Sequence, residues 1–470
     1  MTGSPEATSR GRRAARTALG IVVTAAAASA LAAAALVPWP TAAREPLAVT
    51  ALPEPTASLV SCAGPVLAVG RDATDASQLT DAEGQDVAAA TASDDLDAAA
   101  SRLAAPDVSG GAGPDALSAA PHDGVRTDLA AAGSSSVDDD DLRGFAASAC
   151  APPLMQSWLV GGSGLTGASD LVLLANPSGV ASQVDLTVYG AEGPYQPAAA
   201  AGIVVPPRTQ RVLPLAALAL GEESPVIRIN ATGAPIQASL QTSITRTLLP
   251  GGVDQVGTTA APATTQVIPS VTVVVEPGED GASEPATTLR LLAPSSDTDA
   301  TVELTPIAGG AAASESVSLT SGTPAEVELG GLEPGSYRVR VSAAEPVVTA
   351  LWTTTGFASG VDFAWHTAPS VLSVPSLVAV ATGPSPVLTI SNEGDEDSVV
   401  KLTGGPGAGD HAVPAGEVIR ISVQDESVYR LETEGGRIRA NVTFSGDGAL
   451  AGYDVIPADA AAEPVIVYTQ

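Results

Sequence analysis

The chain has little positive charge for its length. Among its 470 residues, Lys and Arg total 21 against 52 Asp and Glu, which gives a formal net charge of −31. Lys401 is the single lysine. Nucleic acid and anionic lipid headgroups are bound by clustered cations, so this charge balance argues against both as ligands. We therefore expect no nucleic-acid binding.

Histidine, cysteine and aromatic residues are also scarce. There are three His and two Cys, and aromatic residues make up 3% of the chain. The sequence contains no HExxH, GxSxG or P-loop pattern and no Cys/His cluster with zinc-ligand spacing. It therefore predicts a protein that is not an enzyme and that has neither a cofactor nor a metal.

The N-terminus carries the one long apolar run. Four arginines between residues 10 and 16 precede twenty uncharged residues, Ala18 to Val37. A helix of this length spans about 30 Å, the thickness of a bilayer's hydrocarbon core. We expect residues 1–43 to hold a cytoplasmic tip and a membrane anchor, with the rest outside. A cleaved signal peptide is the alternative, because residues 41–43 offer a small-residue cleavage site.

An acidic stretch follows the anchor and the linker at 44–70. From Arg71 to Arg143 it has 16 acidic and four basic residues, including four consecutive aspartates at 138–141. Such a composition buries too little apolar surface to offset its ordering entropy, so we expect disorder over 71–146. Calcium binding by the aspartate run is the alternative, but a calcium loop needs interleaved oxygens and a turn-forming Gly.

The two cysteines, Cys62 and Cys150, flank the acidic stretch. An even pair in an exported chain is most simply a disulfide, which would tie a lone strand to the first domain. Residues 59–62 also match a lipid-attachment box. About 25 polar and Pro-containing residues separate that box from the apolar run, which favours the disulfide.

One pattern recurs three times in the remainder of the chain, at spacings of 118 and 98 residues. Each copy has an apolar run that ends at a turn, an Arg between apolar residues, a further apolar strand and a closing Gly-apolar-Asp. The apolar runs begin at Leu171, Leu289 and Val387. A unit near 100 residues with short strands and regular turns is typical of an immunoglobulin-like sandwich. The sequence thus predicts an all-β protein with three tandem β-sandwiches at 147–261, 262–367 and 368–470.

Two polar positions recur at matched places in the copies. They are Arg228, Arg338 and Arg430, and Asp254, Asp362 and Asp454. We interpret the arginines as cross-strand ion pairs or packed aliphatic stems, with a shared anion site as the alternative. We interpret the aspartates as turn caps, with calcium ligation as the alternative.

Aromatic residues concentrate in one segment of the second copy. Trp352, Phe357, Phe363 and Trp365 lie there with His366 beside them. Exposed rings can stack on sugar faces, so these five residues form the candidate ligand patch. Ordinary core filling in the second domain explains the cluster as well, and we favour that interpretation.

Several motifs between Cys150 and Asp254 resemble a known family. Cys150-Ala-Pro-Pro, the run from Asp170 to Pro177 and Pro250-Gly-Gly-Val-Asp254 resemble exported envelope proteins of high-GC Gram-positive bacteria (actinobacteria). That family is a domain of unknown function. The resemblance covers roughly residues 58–70 and 147–470, and it implies location and architecture but no activity. The acidic stretch has no counterpart in it.

Taken together, these patterns predict a non-catalytic, membrane-anchored binding or scaffold protein outside the cytoplasm. Envelope glycan or an envelope protein is the expected partner, besides the membrane itself. The alternative is an envelope-polymer hydrolase or an accessory subunit of a glycosyltransferase. The sequence does not determine the oligomeric state.

Overall fold

A computed structural model describes residues 7–36, 48–51, 54–458 and 465–468, apart from residues 73, 76, 94, 276–284 and 373–374. Strands account for 55% of the chain and helices for 7%, which confirms the all-β class. The chain divides into two compact units. One comprises residues 1–53 and 462–470, and the other comprises residues 54–461.

The first unit begins with one long helix, α1 (Ala7–Leu36), followed by a short strand, β1 (Ala48–Ala51). Within α1, the stretch Ala14–Ala34 has a mean hydropathy of 1.9, and none of it is buried against the rest of the chain. It is long and apolar enough to span a membrane or to serve as a signal sequence. The cleavage site expected at 41–43 lies outside the described residues.

The acidic stretch is folded, so the disorder predicted for 71–146 is wrong. Three groups of strands form from this stretch and the residues just before it: β2, β7 and β6 pair in that order, β3 pairs with β4, and β8 lies between β5 and β9. The strands are β2 (Ser58–Ser61), β3 (Val66–Val69), β4 (Leu79–Glu83), β5 (Asp86–Thr91), β6 (Ala99–Ala104), β7 (Ala112–Ala119), β8 (Leu129–Asp138) and β9 (Arg143–Cys150).

The stretch folds because it completes cores that belong to other parts of the chain. Leu79 and Val108 pack in one cluster with Leu171 of the first repeat. Phe145 lies in the core of the third repeat, with its ring centroid 5.6 Å from that of Phe444. Composition reflects only the apolar surface that a segment can bury against itself, so it gave no sign of this burial.

A disulfide between Cys62 and Cys150 closes this part of the fold and confirms the pairing. Beside it, the backbone N–H groups of Ser61 and Ala151 each donate to the other residue's carbonyl, at 2.9 and 3.0 Å. The tied strand is not alone, because β2 pairs with β7. The bond therefore locks a folded region of 88 residues rather than a looped-out excursion.

The first repeat encloses its core between two sheets. One sheet has the order β10-β16-β12-β13, with β14 on β12, and the other runs β18-β17-β11-β15 and continues through β6 into β7 and β2. Val184, Leu186 and Val188, which alternate along β12, are all fully buried. The elements are β10 (Gln156–Val160), β11 (Leu171–Asn176), β12 (Ser182–Gly190), β13 (Gly193–Tyr195), a 3₁₀ turn (Ala198–Ala200), β14 (Ile203–Val205), β15 (Thr209–Pro214), α2 (Leu215–Leu218), β16 (Val226–Thr232), β17 (Gln237–Arg246) and β18 (Leu249–Val256).

The second repeat is organised around one strand of 20 residues, β24. Its first half pairs with β19 and β21, and its second half pairs with β20 and β25. The strands are β19 (Ala263–Val273), β20 (Thr287–Leu292), β21 (Thr298–Pro306), β22 (Ala313–Leu319), β23 (Ala325–Glu328), β24 (Gly335–Thr354) and β25 (Phe363–Thr367).

The third repeat has two sheets of four strands, with the orders β26-β31-β28-β29 and β30-β27-β32-β33. The strands are β26 (Ser376–Val380), β27 (Val387–Asn392), β28 (Ser398–Thr403), β29 (Gly409–Val413), β30 (Val418–Ser422), β31 (Ser427–Glu434), β32 (Ile438–Gly446) and β33 (Ala449–Asp454). The last strand, β34 (Val465–Tyr468), pairs with β1 in the first unit, so the predicted third domain does not include it.

The three repeats thus each supply paired sheets and a core. The boundaries at 147, 262 and 368 stay predictions, because residues 54–461 form one compact unit. The immunoglobulin-like strand arrangement likewise stays a prediction.

Candidate functional site

Four edge strands meet inside the second unit. β9, β18, β25 and β33 each lie at the edge of their own pairing, and β9 and β25 both contact β18 and β33. Each is the second member of an antiparallel pair, namely β8–β9, β17–β18, β24–β25 and β32–β33. The acidic stretch therefore contributes a fourth strand pair beside those of the three repeats. We call this convergence the strand junction. An edge strand exposes unpaired N–H groups, which need partners when they are buried.

Asp362 supplies those partners with its carboxylate. Its Oδ2 atom accepts hydrogen bonds from the backbone N–H groups of Phe145 at 2.9 Å and Leu450 at 3.1 Å, and Oδ1 accepts from Val253 at 3.2 Å. These donors lie on β9, β33 and β18, so one buried side chain joins all three other strand pairs. Burial raises the pKa of Asp362 to about 8, while the backbone hydrogen bonds act in the opposite direction.

Two glycines allow the strands to approach this carboxylate. Gly144 and Gly252 have positive φ values of +145° and +121°. A Cβ atom on Gly144 would lie 2.6 Å from Asp362 Oδ1 and 2.7 Å from the backbone nitrogen of Val253, and one on Gly252 would lie 2.6 Å from Phe363 Cδ1. Gly252, from the first copy of the Gly-apolar-Asp motif, and Gly144 in β9 therefore allow close packing of the strands.

The other two recurring aspartates also join repeats, each in its own way. Asp254 accepts from the backbone N–H of Trp365 at 2.8 Å, and Asp454 Oδ2 accepts from the Thr367 hydroxyl at 2.7 Å. Burial, reinforced by the charge of Asp362, raises the pKa of Asp254 well above its ordinary value. The three aspartates thus link strands of different repeats, in contrast to the turn caps that the sequence suggested. No group of three potential metal-ligating side chains occurs among the described residues.

The three recurring arginines do not converge. All are half-buried. The Arg228 guanidinium carbon lies 5.9 Å from the ring centroid of Trp158, and Arg338 donates to the Gly416 carbonyl oxygen of the third repeat. Arg430 pairs with a glutamate on its own strand at 2.7 Å. The structure therefore gives them three local roles and brings no shared anion site together.

The aromatic candidates are mostly buried, as the core-filling interpretation expects, and do not form an exposed patch. Trp352, Phe363 and Trp365 are 8%, 0% and 6% exposed, His366 is 2% exposed, and Phe357 is half-buried. The first three pack into the core of the first repeat. Burial also lowers the pKa of His366 to about 4. The rings of this segment therefore fill a core that the first and second repeats share.

Arg290, which the recurring pattern did not single out, lies against the same rings. It is 3% exposed, and its guanidinium carbon lies 4.7 Å from the Trp365 ring centroid. It donates to Glu326 at 2.8 Å and to the Gly162 carbonyl at 2.8 Å, beside a cavity of about 230 Å³. Its place inside an apolar run was the available signal, because a buried charge must have partners.

A larger cavity of about 540 Å³ lies where parts of all three repeats meet. Trp158 and Trp365 line it together with residues 257–261 and the end of β33. Ser157, also in its wall, has a buried hydroxyl without a protein partner. Asp454 is the one acidic residue among the described residues that line it. Its volume falls within the range of about 300–1,000 Å³ that is typical of ligand pockets.

The sequence matches the model of a known family. The model of a family of unknown function, DUF5719, matches residues 104–419. The chain belongs to this family. The DUF5719 match spans about two thirds of the chain and begins inside the acidic stretch, so β7 to β9 lie within it. The expectation that the acidic stretch has no counterpart is therefore wrong for that part. No curated protein matches the chain.

Proposed function

We propose that this DUF5719 protein is a non-catalytic, membrane-anchored binding or scaffold protein of the cell envelope in a high-GC Gram-positive bacterium. The apolar stretch Ala14–Ala34 would anchor it, with the four arginines between residues 10 and 16 on the cytoplasmic side. The Cys62–Cys150 disulfide supports an extracytoplasmic location for residues 54–461, because such bonds persist in oxidising compartments.

The large cavity carries this proposal. Its walls come from residues of three repeats, which would give a binding site that exists only in the assembled fold. Most of its lining is apolar or aromatic, with few polar groups, which is the composition of sites that bind small molecules or short polymer segments. Envelope glycan or a segment of an envelope protein is the ligand class that we propose.

The placement of the carboxylates supports binding over hydrolysis. Asp362 and Asp254 accept backbone N–H groups, and Asp170 accepts those of Ser163 and Ser243 at 2.7 and 2.8 Å. Glycoside hydrolysis ordinarily needs two carboxylates that face the substrate. In the large cavity, the described residues offer Asp454 alone.

Anchoring is tested with the full chain in intact cells. We expect the protein to remain in alkali-washed membranes and to be degraded by protease added outside the cells. N-terminal sequencing of the mature protein then separates an uncleaved anchor from cleavage near residue 43. Protection from external protease in intact cells would contradict the proposed topology.

Binding is tested by sedimenting the full chain, held in nanodiscs, with purified insoluble peptidoglycan or arabinogalactan. Ala261 is exposed at the cavity wall, so A261W should fill the cavity without removing a core contact. The matched control is A311W, at an exposed alanine outside the described cavities. We expect wild type and A311W to be retained and A261W to be released. Release of soluble sugar fragments would favour the hydrolase. Equal retention of both variants would overturn the cavity as the binding site.

A further inference from the structure

We propose that the large cavity binds an organic cation, an ammonium group on an apolar body, with the Asp454 carboxylate as its counter-charge. The proposal rests on the binding function argued above and adds the chemical class of the ligand. It would apply equally to a free amine and to an ammonium group carried by an envelope polymer or peptide.

The Asp454 carboxylate is only partly satisfied by the protein. Its Oδ2 atom accepts from the Thr367 hydroxyl at 2.7 Å, and Thr367 lines the same cavity. No described residue donates to Oδ1, and the residue is half-buried, so this oxygen stays accessible. Asp454 also borders a small neighbouring hollow of about 50 Å³. A carboxylate oxygen without a donor at the wall of an apolar cavity favours a ligand that carries positive charge.

The charges around Asp454 leave room for such a ligand. Burial raises the pKa of Asp454 to about 8, and Arg439 is the one cation whose field lowers it. Arg439 is itself buried and donates to the Pro369 carbonyl oxygen. His366, on the neighbouring strand β25, has a pKa of about 4 and is neutral at physiological pH. A bound ammonium would therefore add positive charge beside a carboxylate that has Arg439 as its one neighbouring cation.

The remaining walls suit the body of an organic cation. Trp158 and Trp365 present aromatic surface, which attracts cations through the ring quadrupole. The buried Ser157 hydroxyl, which has no protein partner, adds a polar group. No lysine or arginine occurs among the described lining residues, which disfavours an anion. The net charge of −31 would also raise the local concentration of cations.

The experiment compares choline with 3,3-dimethylbutan-1-ol, its neutral carbon isostere, and pentylammonium with pentan-1-ol. Binding to the full chain in detergent is followed by calorimetry and tryptophan fluorescence up to about 10 mM ligand, since weak sites bind near the millimolar range. We expect at least one cation to bind about tenfold or more tightly than its neutral partner. Equal binding of both members of each pair, or no binding of either cation, would overturn the proposal.

Two variants locate the site. D454N keeps the shape of the side chain and an acceptor for Thr367 but removes the charge, and we expect about tenfold weaker cation binding. D395N removes a charge from an exposed aspartate outside the described cavities and should bind like wild type. Thermal denaturation of D454N checks that it is folded. A folded D454N that binds choline or pentylammonium as wild type does would overturn the assignment.

Proton linkage gives an independent readout. Because the ionised carboxylate binds the cation, affinity should weaken as the pH falls below about 8, and binding at pH 7 should release protons in wild type but not in D454N. A pH-independent affinity in wild type would contradict the role of Asp454. If A261W loses polymer retention while neither cation binds, the binding function stands and the cation class falls. If a cation binds while no polymer is retained, the cation site stands and the proposed polymer binding falls.

Discussion

The acidic stretch and the three repeats reach the strand junction by different routes. Each repeat has period-two apolar strands that bury their own core, as Val184, Leu186 and Val188 do in the first. The acidic stretch has mostly small residues, and its larger buried side chains pack into cores of the repeats, as Phe145 does in the third. The edge strands β9, β18 and β33 each donate one backbone N–H group to Asp362, and the fourth edge strand, β25, begins at the next residue.

The difference shows that charge density does not decide whether a segment folds. The stretch keeps the aspartate run at 138–141 at the surface: Asp139 and Asp141 pair with Arg71, and their side chains are 46% and 53% exposed. Its small apolar residues face inward, where neighbouring sheets already supply most of the hydrophobic surface. A segment in this position needs only to complete a core.

Removal of the disulfide should have the largest effect on stability, and it should affect the acidic stretch more than the third repeat. For the variant with both Cys62→Ser and Cys150→Ser we expect a loss of about 4–5 kcal/mol in the free energy of unfolding, because the bond closes a loop of 88 residues. Hydrogen exchange should show lower protection in β2 to β9 while the third repeat keeps its protection. A loss below about 1 kcal/mol, or equal deprotection throughout residues 54–461, would contradict the dependence of the acidic stretch on this bond.

The sequence predicted the parts of the fold that depend on local pattern. The run from Leu171 forms a fully buried strand, and Cys62 and Cys150 pair. It could not predict the strand junction, because Asp362 binds groups up to 217 residues away and no local pattern encodes that contact. For the same reason, the sequence alone could not decide between a ligand patch and core filling for the aromatic segment. Trp365 is buried by Arg290 and the first repeat, which are distant in sequence.

Asp362→Asn should test whether the acidic stretch is an equal member of the strand junction. An amide replaces one acceptor oxygen by a donor, so at least one of the N–H groups of Phe145, Val253 and Leu450 loses its partner. Above pH 8, where Asp362 is ionised, we expect a loss of about 3 kcal/mol, since each buried unsatisfied donor costs about 1–3 kcal/mol. Chemical denaturation measures the loss, and hydrogen exchange at the three amides locates it.

The control for this substitution is D395N, which changes an exposed aspartate in the same way and should shift stability by less than about 0.5 kcal/mol. Faster exchange at all three amides would show that β9 depends on Asp362 as β18 and β33 do. Unchanged protection at Phe145, with losses at the other two amides, would instead show that the junction depends on the three repeats and that β9 only packs against it.

The smallest effect should come from surface ion pairs, one in each region. Arg71 bonds both Asp139 and Asp141, at 2.8 and 2.7 Å, and so ties the end of β3 to the β8–β9 turn. Arg430 pairs with Glu432 on its own strand. Exposed pairs contribute about 0.2–1 kcal/mol, and the upper end applies where one arginine joins two segments. We therefore expect Arg71→Gln to cost about 1 kcal/mol and Arg430→Gln less than about 0.5 kcal/mol, measured by urea denaturation at low salt. Added salt should reduce the first difference more than the second. No measurable loss for Arg71→Gln would mean that the acidic stretch gains nothing from this charge pairing, and that its order depends on the shared cores and the disulfide.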